Sequence, residues 1–277
     1  MIRIGEYQTL RINREMPQGY YLQCEEDYEV LMPRKYITED MNIGDAVEVF
    51  VYCDSQDLEV ATTENPVFTL GEYAYLQVKD VKKVGAFCDW GITKELFIPF
   101  RNQVERLQPG EWAVVYLYLD EVSERLVGTT KIRPSLQKHA EDDLQKGQEV
   151  DLLVYSKSDL GYNVVINQQY AGLVYKNEAP QGLRIGQSIK GYIKPIREDR
   201  KIDVSLFPIG HQSIEPAAQQ ILERLEDNDG FLPFTDKSGP EVIRRAFGMS
   251  KKLFKKSLGN LYKQKLVRLE KDGVHRV

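Results

Sequence analysis

Apolar and polar residues alternate with a period of two over most of the first 210 residues, and the period changes to about 3.6 beyond them. Alternation marks strands with one buried face, and the longer period marks amphipathic helices. The stretch Gly85-Ala-Phe-Cys-Asp-Trp90 to Arg101 gives the strand pattern its clearest form, as two strands joined by a loop at 91–95. Parity puts Cys88 with Trp90 and Phe87 with Asp89; on the returning strand Phe97, Pro99 and Arg101 fall together, opposite Leu96, Ile98 and Phe100. One face is apolar; the other carries Phe87 and Phe97 beside Arg101. On parity alone that pair serves either as barrel core or as a platform on which bases stack beside a cation.

Internal self-similarity decides the organisation. Ile4-Gly-Glu-Tyr-Gln-Thr-Leu-Arg-Ile12 returns as Leu70-Gly-Glu-Tyr-Ala-Tyr-Leu-Gln-Val78, 66 residues on, and the same step takes Gly19 to Gly85, Pro33 to Pro99 and Gly44 to Gly110. A second step of 76 takes Gly85 to Gly161, Pro99 to Tyr175 and Gly110 to Gly186. The ten extra residues fall within 134–147, a polar segment that reads as a linker with a short helix. Each unit ends in two apolar strands, predicted at 46–52 and 58–62, 113–119 and 126–131, and 188–193 and 201–206. Five short strands in so few residues suit a small closed barrel, since closure removes exposed edges. The glycine that follows each first strand is expected to allow a tight bend. The expected domains are 1–66, 67–146 with the linker, 147–210 and 211–277.

In the last of these, Ile214, Ala217, Ala218, Ile221, Leu222 and Leu225 share one helix face, ended by Asn228-Asp-Gly230. Ser238-Gly-Pro-Glu241 reads as a capping box opening a second helix, with Val242, Ile243, Ala246 and Phe247 inward. Ser250 caps a third, whose buried face is Leu253, Phe254, Leu258 and Leu261, and a hairpin turning at Lys271-Asp-Gly273 closes the chain. Three helices and a hairpin make the winged-helix form of helix-turn-helix. Lys251, Lys252, Lys255 and Lys256 line the third helix opposite its apolar face, with Arg244 and Arg245 just before it. Such cations suit phosphate contact without sequence readout, and they equally suit an ordinary solvated face.

Charge sharpens that contrast. Residues 211–277 hold 13 Lys and Arg against 9 Asp and Glu, a net of +4, whereas the preceding 210 hold 24 against 33, a net of −9. Polyanion contact is therefore expected to concentrate at the C-terminal end. The three cysteines lack CxxC spacing and no apolar run reaches a membrane span, so a cytoplasmic protein without membrane attachment is expected. His139, His211 and His275 lie in separate segments, and the chain has no P-loop, GxGxxG or nucleophile elbow. Glu141-Asp142-Asp143 reads as a solvated charge run. No catalysis, cofactor or metal is expected, and the sequence leaves oligomeric state open.

The middle unit resembles an S1-type RNA-binding domain of the OB fold, through Gly85-Ala-Phe-Cys-Asp-Trp90, Leu96-Phe-Ile-Pro99, Leu107-Gln-Pro-Gly110 and Arg125-Leu-Val-Gly-Thr-Thr-Lys131. The resemblance implies base stacking on Phe87 and Phe97 and a cationic contact from Arg125. In the first unit Tyr21 takes the first aromatic place and Leu31 the second. In the third, Asn163 and Leu173 replace both rings, but Gly172-Leu-Val-Tyr-Lys176 resembles the family's other form of that strand, with Tyr175 as the stacking residue. Lys176, Arg200 and Lys201 add cations there, while Tyr162 and Tyr170 read as barrel packing. Three S1-like units followed by a winged helix resemble the conserved virulence factor B family of bacteria. That resemblance implies a mainly β chain, with three tandem five-stranded OB-fold barrels and a C-terminal α+β module. It further implies a non-enzymatic protein that binds single-stranded RNA and influences gene expression after transcription. The alternatives are a regulator whose winged helix reads duplex DNA and an adaptor docking on ribosome or polymerase proteins.

Overall fold

The computed structural model describes residues 2–25, 28–141, 143–179, 182–208 and 216–277, which fall into two compact units, Met1–Val204 and Ser205–Val277. The first unit opens with β1 (Tyr7–Met16), β2 (Gly19–Glu25), β3 (Tyr28–Pro33), β4 (Ala46–Cys53) and β5 (Glu59–Thr62), closed in the order β1-β2-β3-β5-β4. β6 (Tyr73–Lys82), β7 (Gly85–Asp89), β8 (Leu96–Pro99), β9 (Trp112–Asp120) and β10 (Arg125–Thr129) repeat that order. β11 (Glu149–Lys157), β12 (Gly161–Ile166), β13 (Tyr170–Tyr175), β14 (Ser188–Ile193) and β15 (Ile202–Ser205) close a second full barrel.

The repeat extends to irregularities that alternation does not reveal. Each first strand carries one extra residue against its partner, at Asn13, Lys79 and Tyr155, again separated by 66 and 76. A bulge at that point sharpens the coiling that a five-stranded barrel requires. The shared glycines also meet a demand beyond the expected bend. A Cβ on Gly19, Gly85 or Gly161 would overlap the carbonyl oxygen of Met32, Ile98 or Val174 on the facing strand. These positions need a close approach of two backbones. Gly85→Ala is therefore expected to destabilise the first unit by about 1–3 kcal/mol, the usual cost of overpacking, read as a lower denaturation midpoint.

Closure differs between the barrels. Parallel pairing of Leu31 with Val60, and of Gly172 with Ile202, seals the first and third. The described residues form no ladder between β8 and β10, so the middle sheet is open at that seam. Asn102, just beyond β8, joins it instead: its Nδ2 donates to the Gly128 carbonyl at 3.1 Å, and its carbonyl accepts from Thr129 Oγ1 and the Thr130 amide. Gly128 lets β10 close onto Leu96 and Ile98, which a Cβ there would meet at 3.2 and 2.9 Å.

The three sheets are not beads on a flexible string. Trp90, 2% exposed, makes edge-to-face contacts with Phe50 of the first barrel and with Phe68, at 5.7 and 6.1 Å, so one apolar core runs through both. Between the second and third, Tyr73, Val114, Ile132, Leu136, Leu153 and Val165 form another core. There Gln168 clamps the backbone of Tyr73, accepting from its amide at 2.8 Å and donating to its carbonyl at 3.2 Å. The segment 134–147, expected as a polar linker with a short helix, takes only the end of a 3-10 turn, Arg133–Ser135, and has no α-helix among its described residues, while Leu136, Ala140 and Leu144 are buried. Asp143 in the acidic run accepts a hydrogen bond from the buried Tyr170 hydroxyl at 2.7 Å, which helps push that phenol up to about 12, burial being the larger cause.

The second unit contains α1 (Pro216–Glu226), β16 (Phe231–Leu232), α2 (Pro240–Phe247), α3 (Lys251–Lys263), β17 (Val267–Leu269) and β18 (Val274–Arg276), with the sheet ordered β16-β18-β17. Ala218, Ile221, Leu225, Ile243, Phe247, Phe254, Leu258 and Leu261 are its core; Ile214 lies outside the described residues. Ser250 accepts from the Leu253 amide and caps α3 as expected. The capping box does not form. Gly239 is the N-cap of α2 without a side-chain bond, and Ser238 accepts from the Thr235 amide instead. Val242 and Leu253, expected inward, are 52% and 39% exposed, and Ser257 takes the buried place on α3. Each helix is short enough for a core-facing stripe one residue narrower than the sequence suggests. No helix of the described residues is long and apolar enough to cross a membrane.

Candidate nucleic-acid interface

β7 and β8 run antiparallel with Phe87 directly opposite Phe97. Ala86, Cys88, Leu96 and Ile98 point into the core, so the two rings lie half-buried on the other face, 5.2 Å apart and inclined at 32°. Gly85 gives Phe97 its place, since any side chain there would collide with the ring. Lys82 sets its ammonium 4.7 Å from the Phe87 ring centre while pairing with Asp80 at 3.6 Å. A cation over an aromatic face beside a second ring is the arrangement that holds a base and its phosphate. Lys82 escaped the sequence reading, although Lys82-Lys83, separated from Gly85 by Val84 alone, was the available signal.

The rings open onto a cleft of about 210 Å³ walled by Phe87, Phe97, Trp90, Leu126 and the turn of the first barrel at Tyr52, Cys53 and Asp54. Lys94 and Arg125 stand among its lining residues. Arg125 pairs with Asp57 of the first barrel, whose carboxyl is held below its ordinary range by that hydrogen bond. Lys94 donates to Ser55 Oγ at 2.8 Å. The Cys53 thiol is pushed up, chiefly by burial, and so stays neutral at neutral pH. Arg101 is not part of this cleft: it pairs with Asp120 at 2.7 Å, the guanidinium 70% exposed and the carboxylate 12%.

The remaining candidates are scattered. Tyr21 has the Arg14 guanidinium 4.2 Å from its ring centre, and Arg14 in turn pairs with Glu29 at 2.7 Å, so one face of that ring is covered from within. Tyr175 is half-buried, its hydroxyl 3.4 Å from Asp203 Oδ2 and Lys194 5.7 Å from the ring. Lys176 and Arg200 are exposed, and Lys201 pairs with Asp199 at 3.0 Å. In the second unit Arg244, Arg245, Lys252 and Lys256 are exposed or nearly so, Lys255 pairs with Asp236 at 3.4 Å, and Lys251 donates to the Lys237 carbonyl at 3.3 Å. Among the candidate cations Arg101, Arg125, Lys201 and Lys255 thus already hold carboxylates. The wing also gathers Glu270, Asp272 and His275 within 4.8 Å, a grouping that their spacing concealed; Asp272 lies below its ordinary range through its hydrogen bond with His275.

Parts of the chain are similar to known domains. A profile described as an S1 domain matches residues 4–64, and one described as a CvfB-like winged helix domain matches residues 219–275. The Bacillus subtilis (strain 168) protein YitL is 30% identical over 270 residues, covering 95% of this chain and 90% of its own. The chain belongs to the conserved virulence factor B family. Conserved virulence factor B of Staphylococcus aureus (strain USA300) is 26% identical over 275 residues, covering 96% of this chain and 92% of its own. A crystal structure from Streptococcus pneumoniae TIGR4, described as a multidomain protein with nucleic acid binding domains, aligns over 99% of this chain and 98% of its own at 26% identity, with a TM-score of 0.45. The S1 match falls on the first barrel, whereas the sequence motifs are sharpest in the second. Both matched families are nucleic-acid-binding domains and neither is catalytic.

Proposed function

We propose that this member of the conserved virulence factor B family is a non-enzymatic RNA-binding protein of the cytoplasm. In this reading it engages single-stranded RNA through its barrels and its basic winged helix and regulates expression after transcription. The observation that carries this is the in-register pair Phe87 and Phe97, turned out of the core with Lys82 at its edge. A flat aromatic surface pairs with unstacked bases, which duplex DNA does not offer. Arg125, Tyr175, Lys176, Arg200 and Lys201 would extend the track over the first unit, and Arg244, Arg245, Lys251, Lys252, Lys255 and Lys256 would supply phosphate contacts in the second.

Competition on the full chain tests the choice of nucleic acid. Labelled single-stranded RNA is expected to be displaced by unlabelled single strands and far less by duplex DNA of equal length; preferential displacement by the duplex would favour a winged-helix DNA regulator. Replacing Lys251, Lys252, Lys255 and Lys256 by glutamine is expected to weaken binding evenly across sequences. The log–log salt dependence should flatten by about 0.7 for each phosphate that these lysines neutralise in the parent complex.

A further inference from the structure

We propose that the cleft at the joint of the first two barrels is a slot for a single nucleobase, in which Asp57 of the first barrel stands in for RNA phosphate on Arg125. This rests on the reading of the chain as a single-strand RNA binder and assigns the site a composition that one S1-like barrel alone does not have. One wall is the Phe87–Phe97 pair from the second barrel, and the opposite wall is the Tyr52–Asp54 turn of the first. At about 210 Å³ the space is smaller than the roughly 300–1,000 Å³ of sites for drug-sized ligands, which suits one ring system and not a whole dinucleotide. Its lining is mostly apolar and aromatic, with Lys94 and Arg125 as its cations and Asp54 and Glu95 as its carboxylates. The apolar and aromatic surface complements a planar base, and the two cations are the groups that a phosphate attached to it would meet.

The walls are fixed relative to each other. Trp90 lines the cleft and is also the ring that joins the cores of both barrels through Phe50. Arg125 and Asp57 bridge the same joint at its rim, and the Cys53 thiol reaches the Glu124 carbonyl at 3.7 Å. The slot is therefore pre-formed, and a strand entering it imposes little ordering cost on the protein. A phosphate approaching Arg125 competes with Asp57, because both present anionic oxygens to one guanidinium. Asp57 is exposed, so the exchange needs no unfolding.

Variants of the full chain test this against fluorescein-labelled single-stranded RNA of about twelve nucleotides, within the site sizes of OB folds. Asp57→Asn is expected to tighten binding severalfold, because the phosphate no longer competes with a carboxylate for Arg125. Glu39→Gln, which makes the same change of net charge at another exposed position of the first barrel, is expected to leave the affinity nearly unchanged. Cys53→Phe, which fills the slot from the first-barrel side, is expected to weaken binding about tenfold, with folding checked by circular dichroism. If Phe87→Ala with Phe97→Ala weakens binding while Asp57→Asn behaves like Glu39→Gln, the stacking surface stands and the slot is overturned. If the chain fails to bind single-stranded RNA at all, both readings fall together.

Discussion

Replacing Phe87 and Phe97 together by alanine is expected to weaken single-stranded RNA binding on the order of tenfold to a hundredfold, since a stacked base contributes about 1–3 kcal/mol. The two rings touch each other and stand outside the core formed by Ala86, Cys88, Leu96 and Ile98, so the barrel should survive their removal. Circular dichroism of the double variant is expected to overlay that of the parent at room temperature, with a modest fall in unfolding midpoint because the ring pair is gone. Fluorescence anisotropy titration supplies the affinity. An unchanged affinity would remove stacking from the account and leave the cations of the second unit as the principal contact.

Trp90→Ala is expected to act in the opposite manner, on stability first. The indole is buried against Phe50 and Phe68, and its Nε1 donates to the Lys94 carbonyl. Removing it opens a cavity where two barrels share one core, and large-to-small changes of this kind cost about 3–5 kcal/mol. Because the core is continuous, the first and second barrels should lose stability together, visible as one shifted transition in denaturant. A loss confined to residues 67–134 in hydrogen exchange would show instead that the barrels unfold independently. The Lys94 carbonyl would be without its partner too, which loosens the 91–95 loop beside the proposed slot.

These aromatic residues also mark how far the sequence can be read. Strand parity separates Phe87 and Phe97 from Cys88 and Trp90 because the period of two is a local property of the backbone. Likewise, the steps of 66 and 76 expose the three repeats, since equivalent barrels need equivalent glycines and turns. What parity cannot report is which barrel a buried residue meets. Trp90 reads as core, but nothing local announces Phe50 as its neighbour. Residues 134–147 read as a polar linker because their polar side chains outnumber Leu136, Ala140 and Leu144, the three buried anchors that pin the segment.

Electrostatics is the least legible layer. Arg101 and Arg125 read as cations awaiting phosphate, yet Asp120 and Asp57 hold them, and both acids arrive from positions distant in sequence. The excess of acidic residues in the first 210 positions is visible as a number; its destination is not. The capping box at 238–241 fails for a related reason: Ser238 has a competing donor in the Thr235 amide, and a short polar side chain takes whichever partner the chain presents first.

The most direct test of the account is photocrosslinking of single-stranded RNA to the folded full chain, followed by mapping of the attached residues. Attachment at Phe87, Phe97 and the adjoining 52–54 turn, together with sites on α3, is the expected result. Crosslinks restricted to residues 216–277, with those rings unmodified at saturating RNA, would contradict it.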